Sequence, residues 1–249
     1  MKIAVITAMP EEFSAVARSL EPGAAMPLSG FKARICQAAG HEFLLVESGM
    51  GFDNAARAAA AVIREARPDL LVSAGFCGGI APELEAGDVV VAQHIISADA
   101  GCCEEIPVLL STIGRTFVAR QAVEGTRTVG GTFVSTQAIT SKTYLAGMVS
   151  DRYPNPVVEM ESGAIAIAAA ENNIPLLAIR AVSDSAAEEL GFSLDEFCDQ
   201  DMRRIRSHRV LLTVLRKPRI IPQLVRLTFS SRRAAESLTS ALSRLFSTL

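Results

Sequence analysis

Short aliphatic runs, each halted by glycine, serine or an acidic side chain, recur from Ile3 to Asp184 and alternate with alanine-rich stretches. Ile3–Thr7, Phe43–Glu47, Leu70–Ser73, Asp88–Ile96, Gly131–Ser135, Val157–Glu161 and Ile174–Arg180 read as strands. Helices are predicted from Pro10 to Leu20, Ala55 to Ala66 and Ser162 to Ala170, with proline and acids at the positive end of the first. Residues 99–130 show weak periodicity, and no element is predicted there. Strands alternating with helices imply an α/β fold, a three-layer αβα sandwich with a central mixed sheet. At 249 residues, one large domain with a short appendage is expected.

Composition removes several classes of function. Five cysteines (Cys36, Cys77, Cys102, Cys103, Cys198) are an odd number without CxxC spacing, and three histidines (His41, His94, His208) form no HExxH. Neither a disulfide framework nor a metal site is expected, and His208 reads as a surface residue. The glycines have neither the GxGxxG nor the GK[ST] spacing, so no cofactor is expected. Lys2 and the apolar Ile3–Met9 imitate a signal peptide, but Pro10-Glu11-Glu12 follows at once. A buried first strand and a cytoplasmic protein are the better reading. Charge is unevenly divided: residues 1–200 balance at −12 and residues 201–249 at +9. The division predicts a body over 1–205 and a basic, helical C-terminal extension over 206–249.

Four polar clusters fall at predicted strand ends: Met9–Glu12, Ser73–Gly79, Glu159–Glu161 and Arg180–Asp184. That edge of an open α/β sheet is where ligands bind. Each cluster has a plainer reading. Glu12 suits a helix start, Gly78-Gly79 tight packing, and Asp184 a helix cap. Glu159 and Glu161 lie among apolar neighbours, and a buried carboxylate needs a partner.

Together, Ala8-Met9-Pro10-Glu11-Glu12, Ser48-Gly49-Met50-Gly51, Gly78-Gly79 with Gly87-Asp88-Val89-Val90, Val158-Glu159-Met160-Glu161-Ser162 and Arg180-Ala181-Val182-Ser183-Asp184 are more specific. In order and spacing they resemble the nucleoside phosphorylase/nucleosidase superfamily, and within it most closely the methylthioadenosine/S-adenosylhomocysteine nucleosidases. The resemblance covers roughly residues 1–200 and implies hydrolysis of a purine N-ribosyl bond, with adenine released from a 5′-modified adenosine. It implies Glu12 and Asp184 as catalytic residues, Glu12 activating water and Asp184 supplying a proton at N7 of the base. It implies Met9, Phe76, Gly78, Glu159, Met160, Glu161 and Ser183 as substrate-binding residues. Glu161 would hold the ribose hydroxyls over Met160, and Ser183 would orient Asp184. Arg180 is expected to partner one of the acids.

Phosphorolysis is the alternative chemistry. Glu11 and Glu12 at the first strand end repel phosphate, which favours water. The stacking aromatic of such nucleosidases is missing near Ile139 and Thr140, leaving Phe76 as either a substitute surface or a core residue. A hopanoid-linked or futalosine-like nucleoside is therefore an alternative to methylthioadenosine. The resemblance also implies a homodimer. Nucleic acid is not an expected partner. The leucines at 224, 227, 238, 242, 245 and 249 predict a C-terminal helix packed on the body or on a partner subunit. The alternative is a cationic amphipathic segment in peripheral contact with an anionic membrane.

Overall fold

The computed structural model describes residues 1–99, 101–120, 126–149, 151–188 and 221–249. Strand β1 (Lys2–Thr7) shows how the layers arise. Its side chains alternate, so Ile3 and Val5 enter one apolar core while Ala4 and Ile6 enter another. The first core is closed by α1 (Pro10–Ala17), α3 (Thr112–Arg120) and α6 (Ile221–Phe246), the second by α2 (Phe52–Ala66) and α5 (Ser162–Glu171). The expected three layers are therefore present. A seven-residue helix, α4 (Lys142–Met148), lies beyond β8 (Thr128–Ser135).

The sheet has parallel and antiparallel pairs. At its centre is β5 (Leu70–Gly79), buried along nearly its whole length. It runs parallel to β1 and to β10 (Leu176–Asp184), and its last two residues pair antiparallel with β9 (Pro156–Glu159). Strand β10 also pairs with β6 (Val89–Asp99), β6 with β8, and β8 with β9. These five strands close on themselves. The sheet continues outward from β1 through β4 (His41–Glu47), β3 (Phe31–Ala38) and β2 (Glu21–Leu28).

Several boundaries differ from the expected ones. Residues 74–79 are strand rather than loop, because the glycine-rich stretch still pairs with β10 and β9. Strand β10 likewise runs on to Asp184, and the strand expected through Glu161 stops at Glu159. The unassigned stretch 99–130 holds β7 (Cys102–Glu105), which pairs with β6, together with α3 and the first residues of β8.

The predicted C-terminal helix is α6, and it packs on the body. Ala234, Leu238, Ala241, Leu242, Leu245 and Phe246 are buried in the same core as α1 and β1, and Phe246 meets Phe43 at 4.7 Å between ring centroids. Leu227 and Leu249 are half-buried, and the side chain of Leu224 lies outside the description. Val225, Arg226, Phe229, Arg232 and Arg233 remain exposed in its first half. The expected boundary at residue 205 falls outside the described residues, as do Cys198 and His208. The four described cysteines are free thiols. His41 contacts the N-terminal amine and His94 contacts Glu105. No described helix is long and apolar enough to cross a membrane.

Candidate active site

The parallel directions of β1, β4, β5 and β10 bring their C-terminal ends to one edge of the sheet. Three of the four polar clusters expected from the sequence end on β1, β5 and β10, and the fourth follows β9 across the tip of β5.

Glu12 stands in the first turn of α1. Its Oε2 accepts hydrogen bonds from the backbone N–H groups of Ala8 at 2.8 Å and Met9 at 2.9 Å, which is the helix-start role. That role uses one oxygen. The other, Oε1, reaches across to β5 and accepts from the Phe76 N–H at 2.7 Å, with Arg180 Nη1 at 3.8 Å. Burial pushes the Glu12 carboxyl up from 4.5 to about 7. Arg180 and the two backbone donors act against that rise, while Glu161 adds to it.

Arg180 is the hub. Only 2% exposed, it projects from β10 into a nest of oxygens. Its Nη2 lies 2.6 Å from Glu159 Oε2 and 3.1 Å from Glu161 Oε2, and it also meets the hydroxyls of Ser73 and Ser162. Its Nη1 donates to the Phe76 carbonyl at 3.1 Å. Burial disfavours the guanidinium charge, but Glu159, Glu161 and Glu12 more than offset this and hold it protonated. Sequence reasoning made Arg180 the partner of one acid; the structure gives it three.

The two glutamates at β9 divide their work. Glu159 Oε2 also accepts from the N–H groups of Glu161 and Ser162, so Glu159 satisfies two backbone donors at the start of α5 and anchors Arg180 at once. Glu161 is held between Arg180 and the Gly51 N–H, which donates to Oε1 at 2.9 Å. Gly51 has φ of +91°, open to glycine and costly for other residues, which accounts for the Gly49-Met50-Gly51 turn. Burial raises the Glu161 carboxyl above its ordinary range, with Arg180 opposing. Met160, half-buried, lies between the two glutamates in the chain.

Asp184 ends β10 beside Gly78. Ser183 Oγ donates to its Oδ1 at 2.5 Å and lies 3.2 Å from the Cys77 carbonyl. The ammonium of Lys142, the first residue of α4, pairs with Oδ2. Lys142 was not among the residues expected from the sequence, and a lone lysine after Ser141 carries no signal that it will turn inward. Glycines clear the space for these groups. A Cβ on Gly75 would stand 2.5 Å from both Arg180 Nη1 and Glu12 Oε1, and one on Gly78 would meet Lys142 at 2.9 Å and Asp184 at 3.2 Å.

Glu12, Glu161 and Asp184 thus gather around residues 75–78 of β5, linked by Arg180, Phe76 and Cys77. Phe76 takes part through its backbone. Its ring is 8% exposed and packs in the core with α1, so it presents little surface to a base. Ile139 is exposed, and Gln137, Ala138 and Thr140 line a cavity of about 300 Å³ with Ala98, Gly101, Tyr144, Leu145 and Met148. None of the carboxylates lines that cavity. The acids, rather than the cavity, mark the chemistry.

Comparison with known proteins places the chain in a family. The profile of the Phosphorylase superfamily matches residues 2–216. The chain is 29% identical over 214 residues to a 5′-methylthioadenosine/S-adenosylhomocysteine nucleosidase of Bacillus thuringiensis subsp. konkukian, covering 80% of this chain and 93% of the relative. The same figures relate it to the nucleosidase of Bacillus anthracis. Its fold is similar to that of the Neisseria meningitidis nucleosidase solved with methylthio-immucillin-A, with a TM-score of 0.73, 24% identity and coverage of 100% of this chain and 99% of the other. The fold of futalosine hydrolase from Helicobacter pylori is also similar, with a TM-score of 0.72 at 15% identity over 100% and 98% of the two chains. Sheet, site and profile converge: the chain belongs to the phosphorylase superfamily.

Proposed function

We propose that the protein hydrolyses the N-glycosidic bond of a purine nucleoside and releases adenine from a 5′-modified adenosine of the methylthioadenosine/S-adenosylhomocysteine type. The observation that carries this reading is the convergence of Glu12, Glu161 and Asp184 on one strand end, each held by donors from a different element. Cleavage builds positive charge on the sugar and negative charge on the base. Asp184 supplies the proton that lets the purine leave neutral, and Ser183 fixes its orientation. Glu161 binds ribose hydroxyls and places negative charge beside the oxocarbenium-like sugar. Glu12, with a carboxyl near pH 7, takes the proton of the attacking water.

Water is favoured over phosphate because the cations at this site are already engaged. Arg180 is taken by three carboxylates and Lys142 by a fourth, so neither offers phosphate a free cradle. The reading extends to a cytoplasmic homodimer, for which light scattering should return twice the chain mass; a monomer at assay concentration contradicts it. The activity test is release of adenine from methylthioadenosine with and without phosphate. Release is expected without phosphate and reduced on the order of 10²–10⁴-fold, but still measurable, in Asp184→Asn with the fold retained. A phosphate requirement, with ribose 1-phosphate as product, overturns hydrolysis.

A further inference from the structure

Lys142 does nothing in the chemistry described above, yet its placement is unusual. It is 8% exposed, although lysine is rarely buried without a specific partner. It begins α4, the end of a helix where positive charge gains nothing from the backbone dipoles. Its ammonium instead leaves α4 and reaches the end of β10. There it pairs with Asp184 Oδ2 and donates to three backbone carbonyls: Ser185 at 2.7 Å, Glu188 at 3.0 Å and Asp184 itself at 3.3 Å. An ammonium has three protons, so four oxygens saturate it. The opposite oxygen of Asp184 is held by the Ser183 hydroxyl, itself within reach of β5 through the Cys77 carbonyl.

We propose that Lys142 is a positioning residue for Asp184: with Ser183 it clamps the carboxyl from both sides and sets the plane in which the departing base meets it. The proposal rests on the reading of Asp184 as the proton source. The two-sided grip explains why a buried cation is used where a neutral donor would tether the turn equally well. One oxygen accepts from a hydroxyl and the other from an ammonium, each through one lone pair, so the group cannot rotate about its own axis without breaking a bond, and a further lone pair is left to carry the proton that passes to the base. Gly78 supports the clamp from beneath, since any side chain there would press on Lys142 and Asp184 together. The ammonium also joins α4, which follows the Gln137–Thr140 segment, to the turn after β10.

A double-mutant cycle on the full chain tests this, with methylthioadenosine as the probe substrate and melting temperature as the control for folding. Lys142→Met keeps the aliphatic length and removes the ammonium. It should lower kcat roughly 10- to 100-fold, a part of the roughly 10²- to 10⁴-fold that positioned proton transfer contributes, and leave KM within about threefold. Because Lys142 acts through Asp184, the double variant with Asp184→Asn should be no slower than Asp184→Asn alone. Additive losses, a change confined to KM, or an unchanged or increased kcat would overturn the proposal. If Lys142→Met is too unstable to assay, Lys142→Gln, which keeps a donor without the charge, is read in the same way. An Asp184→Asn as fast as the native protein separates the two readings: it refutes the proton-source assignment itself, whatever Lys142→Met does.

Discussion

Glu12 concentrates the electrostatics of this protein in one side chain. Buried beside Glu161, it holds its proton up to about pH 7, and Arg180 keeps it from rising further. The proposed role as base requires it ionised, so kcat/KM should fall about tenfold for each pH unit below 7. The stability effect has the opposite sign. The folded state binds this proton more tightly than the unfolded chain, so the contribution is complete below about 4.5 and disappears as pH rises through 7. The shift corresponds to a contribution on the order of 3 kcal/mol. Glu12→Gln, which imitates the protonated form, should therefore gain melting temperature relative to the native protein between pH 5 and pH 8 while losing activity. A gap between the two proteins that stays constant over that range would show that Glu12 titrates normally. At this scale the sequence named the acids and left out what joins them. Glu12, Glu161 and Asp184 stand in recognisable strings, whereas Lys142 and the threefold partnership of Arg180 depend on residues up to 168 positions away in the chain.

Strand β5 turns those separate strings into a site. Its aliphatic first half is readable as a strand, but its second half, Ala74–Gly79, contains glycines that hydropathy assigns to a loop. Pairing with β10 and β9 decides the matter, and pairing is a property of neighbours rather than of the segment. The glycines are then needed for space. Gly75→Ala should force Glu12 and Arg180 apart, lower kcat at least tenfold, and cost about 1–3 kcal/mol in stability. Gly147→Ala is the control: it sits in α4 with nothing within 4 Å of the added methyl, and helix propensity predicts a melting temperature equal to or above the native one. Equal behaviour of the two variants would deny Gly75 its packing role.

For the molecule as a whole, the question is whether α6 is an appendage or part of the body. Its charge sets it apart, since the last 49 residues balance at +9 against an acidic remainder, and Arg226 pairs with Glu188. Its packing joins it to the body, because Leu238, Leu242 and Phe246 complete the core begun by β1 and α1. Leu242→Ala should cost about 2–5 kcal/mol and lower the melting temperature by roughly 10 °C in one cooperative transition. A separate early transition, with the body melting as before, would show that the helix folds independently.

Local pattern was enough for the α/β class, the order of most strands and the existence of the terminal helix, which follow from periodicity, a property of contiguous residues. The choice of Glu12, Glu161 and Asp184 as the candidate acids rested instead on the resemblance of five short strings to a known superfamily. Closure of five strands into a ring, extension of β5 and β10 to the site, burial of the Phe76 ring and inward aim of Lys142 came only with the tertiary structure. They follow from which backbones pair and which oxygens surround a charge, and residues far apart in the chain settle both.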